Sequence, residues 1–195
     1  MNVQLYNKTT KLIFIAILVW CIVGILDPLV DLVGGVNSAA SYAGGGSAGV
    51  KIFTILFGII SLAASCLFAW GLLNLKGIVD GPETQGAVNI VFVAAAIAAV
   101  QAILGFFSVS ILDNLVGLAV AIVFLVGYNK MKVAPTLPEV AKQGANLLFV
   151  GAILQLIAAV FRFIPFLGGV IAFLIYIAVF ILYIIGWKKI STPAA

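Results

Sequence analysis

The chain has 195 residues, 65% of them hydrophobic and 8% charged, with a formal net charge of +4. A soluble domain is roughly half apolar and about a quarter charged, so this composition excludes water as the main solvent and points to a polytopic membrane protein. With no histidine and only two cysteines, His-ligated haem, zinc and copper sites are not expected, and no cofactor is expected.

A bilayer core takes about 20 helical residues to cross. The first apolar run, Leu12 to Leu32, follows Lys8 and Lys11. It is expected to persist as a helix, because no small-residue cleavage site follows it and bulky Trp20 precedes Cys21 where a lipoprotein-like signal needs a small residue. Asp27-Pro28 reads as an N-cap with a first-turn proline, and Gly34-Gly35 as a stop, which predicts a kink or a short interfacial helix. The Gly-, Ser- and Ala-rich stretch Asn37 to Gly49, with Tyr42 inside it, predicts a flexible outer loop over residues 34–50. A loop ordered by a partner or lining an outer cavity is the functional alternative.

The further spans are Ile52 to Leu75, Val88 to Phe107, Ile111 to Tyr128, Asn146 to Arg162 and Leu167 to Trp187. They are apolar all round rather than alternating, so helices are expected and a β-barrel is not. Cys21 and Cys66 fall inside spans and read as small packing residues.

Taken in pairs, the spans repeat. Pro82-Glu83-Thr84-Gln85-Gly86-Ala87 leads into Asn89-Ile90-Val91-Phe92-Val93-Ala94, and Pro138-Glu139 to Ala145 leads into Asn146-Leu147-Leu148-Phe149-Val150-Gly151. Lys11-Leu12-Ile13-Phe14-Ile15-Ala16 is a weaker copy. The fold expected is therefore an all-α transmembrane bundle in one domain, 1–195, of three tandem hairpins: residues 11–76, 82–132 and 138–190. Pro82 and Pro138 sit at helix starts with Glu83 and Glu139 in the first turns, where a carboxylate meets the positive end of the helix dipole. Thr136 and Glu139 have capping-box spacing. Each pair closes on an aromatic and a lysine, so Trp70, Tyr128 and Trp187 are expected as interface anchors, rings in lipid and polar edges among headgroups.

Six crossings place Lys8, Lys11, Lys76, Lys130, Lys132, Lys142, Lys188 and Lys189 on one side and leave only Lys51 and Arg162 on the other. The positive-inside rule then puts both termini in the cytoplasm of a multi-pass protein of the plasma (inner) membrane. The lysines are read as topology signals that attract anionic lipid, and no nucleic-acid partner is expected.

Within the spans, small residues recur four apart: Ser61, Ser65 and Ala69; Ala94 and Ala98; Gly117 and Ala121; Gly168 and Ala172. Such stripes let helices approach closely, within the chain or against a partner. The deepest strongly polar side chains are Gln101 and Gln155, expected first as interhelical hydrogen bonds and, with Ser61 and Ser65, as the candidates to line a midplane cavity. Asp27, Asp31 and Asp113 fall at outer ends, where three carboxylates can hold a hard cation such as calcium, although solvated helix-end charge is the simpler expectation. Arg162, between Phe161 and Phe163, is expected to reach outer headgroups or pair with one of these aspartates.

No catalytic constellation is visible: the lysines lie at the rims while Ser61 and Ser65 lie inside, and Gly44-Gly45-Gly46 lacks the lysine and helix start of a phosphate loop. The function expected is that of a non-catalytic structural or accessory subunit packing against other membrane proteins, lipid or itself. A small-solute transporter, or the membrane substrate-binding subunit of one, is the alternative. In a chain freed of Cys21 and Cys66, single Lys76→Cys and Lys142→Cys substitutions are expected to react with an impermeant thiol reagent from the same, cytoplasmic side; labelling from opposite sides contradicts the six-crossing topology.

Overall fold

The computed structural model describes residues 2–40, 48–105, 110–164 and 167–192. It is all-helical: α1 Val3–Ala40, α2 Ala48–Ile78, α3 Pro82–Gly105, α4 Ser110–Met131, α5 Glu139–Phe161 and α6 Leu167–Ile190. Each contains a stretch of 20 to 24 residues long and apolar enough to cross a membrane, which at about 1.5 Å per residue is about 30 Å or more of helix.

The first helix departs from expectation at both ends. It begins at Val3 rather than near Leu12 and runs through Asp27-Pro28 and Gly34-Gly35 to Ala40, so neither a separate interfacial helix nor a stop at the glycine pair is found. Pro28 removes one N–H from the ladder, a loss that membrane helices tolerate because neighbouring backbone groups adjust. The early start brings Tyr6 and Thr10 into the core, both fully buried. The Thr10 hydroxyl donates to the Tyr6 carbonyl at 2.9 Å, and the Tyr6 hydroxyl reaches the Ile190 carbonyl at 3.4 Å. The start of α1 therefore lies beside the end of α6, and both chain ends share one end of the bundle.

Each helix packs on its neighbours in sequence, and α1 meets α6 to close a ring; among the described residues no Cα atoms approach within 8 Å across it. The space inside is filled by side chains. On α2, α4 and α6 six buried residues recur at identical offsets: Ala64, Ser65, Phe68, Gly71, Leu72 and Leu75; Val120, Ala121, Phe124, Gly127, Tyr128 and Met131; Val179, Phe180, Tyr183, Gly186, Trp187 and Ile190. This is a single inward stripe on each helix. The facing helices match it with Ile13, Val91 and Leu148, all fully buried. A Cβ added to Gly71, Gly127 or Gly186 would stand 2.5, 2.6 and 2.7 Å from those three side chains in turn.

The short connections at the terminal end are tied together. Gly81, at φ 80°, turns the chain between α2 and α3 with backbone that a Cβ disfavours. The Thr136 hydroxyl, on the α4–α5 connection, donates to the Asp80 carbonyl and shares a 2.7 Å hydrogen bond with Thr84. The expected Thr136–Glu139 capping box does not form: Pro138 occupies the position before α5, without a side-chain cap, and the Thr136 hydroxyl is engaged instead with Asp80 and Thr84. Lys76 donates to Asn89 Oδ1 at 2.8 Å, and Lys132 lies 3.8 Å over the Phe149 ring, so the ends of α2 and α4 each reach the next helix.

Backbone comes close between α5 and α6, where a Cβ on Gly144 would lie 2.5 Å from the Gly186 carbonyl oxygen, whereas one on Gly77 would meet nothing within 4 Å. Gly144→Ala is therefore expected to destabilise the detergent-solubilised protein by about 1–3 kcal/mol, because backbone must move. Gly77→Ala should be neutral or stabilising by up to about 1 kcal/mol. Unfolding midpoints of the two variants check this, and equal midpoints would refute the packing described.

Candidate functional site

The bundle axis is the place to look for a site, because six helices around a ring leave either a path or a plug. It is a plug of aromatic rings from the alternate helices α2, α4 and α6, with Trp20 of α1 beside them. Phe68 meets Trp187 edge to face at 5.5 Å, and Phe124 stacks on Tyr128 at 5.4 Å. Tyr128 meets Tyr183 at 5.9 Å and 78°, and Trp20 meets Phe180 at 5.5 Å and 85°. Edge-to-face and offset pairs add about 0.5–1.5 kcal/mol each beyond the area they bury.

Beside the plug, on the side away from the chain ends, is a cavity of about 20 Å³. It lies between Ile17, Trp20, Ser65, Phe68, Phe124 and Tyr183, with small alanines completing its wall. That volume admits about one water molecule. The Tyr183 hydroxyl donates to Gln155 Oε1 at 2.6 Å, which satisfies the buried phenol and turns the glutamine toward α6.

Among the described residues, the Tyr128 hydroxyl and the Trp187 indole nitrogen in the plug make no hydrogen bond of ordinary geometry, and neither does Asn7 Oδ1 near the start of α1. In hydrocarbon an unpaired donor or acceptor costs roughly 1–3 kcal/mol. These atoms belong to ring-packed residues and line no cavity described here.

A second polar group lies at the far end. Gln101 Nε2 donates to Asp113 Oδ1 at 3.0 Å and to the Asp113 carbonyl at 3.2 Å, packing on Gly117, where a Cβ would meet the amide at 3.0 Å. Arg162, which ends α5, lays its guanidinium 5.0 Å over the Tyr176 ring of α6.

The structure thus separates the residues singled out from sequence. Of Gln101, Gln155, Ser61 and Ser65, only Ser65 lines the cavity. The glutamines are held by Asp113 and Tyr183 on neighbouring helices, and Ser61 is half-buried further out on α2. Among the three anchors, Trp70 is exposed, but Tyr128 and Trp187 are fully buried in the plug rather than set among headgroups. The reason is register: Tyr128 and Trp187 follow Gly127 and Gly186, and the residue so placed on α2 is Leu72, after Gly71, not Trp70. That glycine was the overlooked signal, and it would also have picked out Phe68, Phe124 and Tyr183 three residues earlier. The Asp27 and Asp31 side chains lie outside the described residues. Asp113 is engaged by Gln101, and among the described residues no three His, Cys, Asp or Glu side chains converge.

No protein-family model, curated protein or solved structure matches the chain. The reading of function therefore rests on geometry.

Hydrogen bonds between membrane helices are worth on average about 0.6 kcal/mol and at most about 2 kcal/mol. A double-mutant cycle of Tyr183→Phe with Gln155→Leu, followed by unfolding in mixed micelles, is expected to return a coupling energy in that range. A coupling of zero would mean that this bond does not hold α5 to α6.

Proposed function

We propose that the protein is a non-catalytic, multi-pass membrane protein that acts as a small structural or accessory subunit, contacting other membrane proteins or lipid through its outer surface. The single observation that carries this reading is the filled axis. Among the described residues, aromatic rings from α1, α2, α4 and α6 meet there, beside a cavity of about 20 Å³. A transporter or substrate-binding subunit needs a larger polar chamber near the midplane, and the glutamines suited to line one are occupied by Asp113 and Tyr183.

Contacts with partners then fall to the outside. The small residues Ser65, Ala69, Ala94, Ala121 and Ala172 are buried within the chain, so the stripes serve intramolecular packing. What remains outward is bulkier: Ile52, Phe53, Ile59, Trp70 and Leu73 on α2 are all exposed.

The same reading includes three tandem hairpins with both termini in the cytoplasm. Identical burial offsets on α2, α4 and α6 support the repeat, as do the three matched glycine contacts. The orientation is supported by the lysine asymmetry and by the Tyr6–Ile190 contact that sets the chain ends together.

Native mass spectrometry after gentle release from membranes tests the role. The expected result is a complex of fixed stoichiometry with another membrane protein, a second copy or bound lipid, weakened by Trp70→Ala. A bare monomer, or saturable solute uptake by the purified protein in vesicles, would overturn it.

A further inference from the structure

The lysines at the end that gathers the chain termini are of two kinds. Lys76, Lys132, Lys142 and Lys189 are engaged, with Asn89, the Phe149 ring, Glu139 and Gln143 in turn. Lys8, Lys11, Lys130 and Lys188 are exposed and, among the described residues, make no ion pair or side-chain hydrogen bond. Three of these four stand on α1 and α6. Those helices pack on each other, from the Trp20–Phe180 pair at 5.5 Å to the Tyr6 hydroxyl, 3.4 Å from the Ile190 carbonyl oxygen. Lys8 and Lys188 each lie two residues, a rise of about 3 Å, toward the bundle middle from that last contact, and Lys11 is about one turn further. The three charges therefore crowd one seam.

On each helix the exposed face that carries the lysines continues as an apolar stripe. At about 100° per residue, Lys8, Lys11, Ile15 and Ile22 fall within about 60° of one another, as do Lys188, Ile185, Ile181 and Leu174; all are exposed. Neither α6 nor α1 before Asp27 contains a carboxylate, and residues 1 and 193–195 carry no charged side chain. The carboxylates of this end are elsewhere in the chain order, Asp80 and Glu83 where α2 passes to α3 and Glu139 at the start of α5.

We propose that the α1–α6 seam binds a lipid with two phosphates and four acyl chains, the chemistry of cardiolipin. Lys8 and Lys11 hold one phosphate and Lys188 the other, while the chains lie along Ile15 and Ile22 on α1 and along Leu174, Ile181 and Ile185 on α6. Packed helices have axes about 8–10 Å apart, a separation suited to two phosphates joined through one glycerol rather than to a single phosphate. Where α2 passes to α3 and α4 to α5, the lysine at the seam is taken by the next helix, Lys76 by Asn89 and Lys132 by Phe149. No connection crosses from α6 to α1, and there the lysines are left for a ligand. Lys130 heads its stripe on α4 alone and offers one point of contact. The site deepens the lipid contact of the role proposed above and rests on it; a complex with another protein, found without lipid selectivity, would leave that role standing and remove this site.

The test uses the full chain in phosphatidylcholine nanodiscs that also hold cardiolipin and phosphatidylglycerol at equal phosphate content, with the lipids retained on mild release counted by native mass spectrometry. Cardiolipin is expected to be retained about fivefold over phosphatidylglycerol per phosphate, the scale of one further lysine contact near the membrane surface. Lys188→Gln, and Lys8→Gln combined with Lys11→Gln, each bring that ratio to about one, whereas Lys188→Arg and Lys130→Gln keep it. Cardiolipin with a photoreactive acyl chain is expected to label residues 11–22 and 174–188 in preference to α3 and α4. Equal retention per phosphate in the unaltered protein overturns the site, because lysines spread around a rim attract any anionic lipid. A ratio that survives Lys188→Gln, or falls as far in Lys130→Gln, overturns it as well, and so does labelling confined to α3 and α4. Helix content by circular dichroism shows that each variant folds.

Discussion

Helices that already sit in hydrocarbon gain nothing from hiding apolar surface against one another, so their association depends on how closely they fit. In this protein the fit is made at glycine. Gly71, Gly127 and Gly186 each receive a large aliphatic side chain from the preceding helix, and Gly144 stands against the Gly186 carbonyl. Dispersion energy falls away within about an ångström of optimal contact, so these approaches decide whether the pairs hold. The rest of the ring follows from them, because each helix so placed turns one inward stripe toward the axis.

What meets on the axis is aromatic rather than aliphatic. Three helices converging from alternate positions leave a space too wide for alanine and valine to fill, and rings from Phe68, Phe124, Tyr128, Tyr183 and Trp187 span it. Polar atoms that come with the rings are only partly satisfied. Tyr183 finds Gln155, whereas among the described residues the Tyr128 hydroxyl and the Trp187 indole nitrogen make no hydrogen bond of ordinary geometry. A core of this kind leaves little open space beside the rings among the described residues. The two rims differ in kind: one gathers lysines and both chain ends, and at the other Gln101 holds Asp113 while Arg162 lies over Tyr176.

Much of this was legible before any coordinates. The six apolar runs foretold six helices, and the Pro-Glu starts at residues 82 and 138 foretold where α3 and α5 begin. The boundaries of α1 were not legible, because Pro28 and the Gly34-Gly35 pair are breakers in water but are tolerated in a long apolar helix. The placement of Tyr128 and Trp187 was misread for a similar reason. An aromatic near a lysine looks like a headgroup anchor, and only the glycine before each ring shows that it faces inward.

The sequence by itself determined the solvent, the number of helices and the matched pattern within the pairs, since these depend on composition and on residues near one another along the chain. Tertiary structure alone decided which polar groups meet: Gln101 with Asp113, Gln155 with Tyr183, Arg162 over Tyr176. Those pairings depend on the rotation of each helix about its own axis. In a chain apolar on every face that rotation carries almost no amphipathic signal, and only the packing of neighbours fixes it.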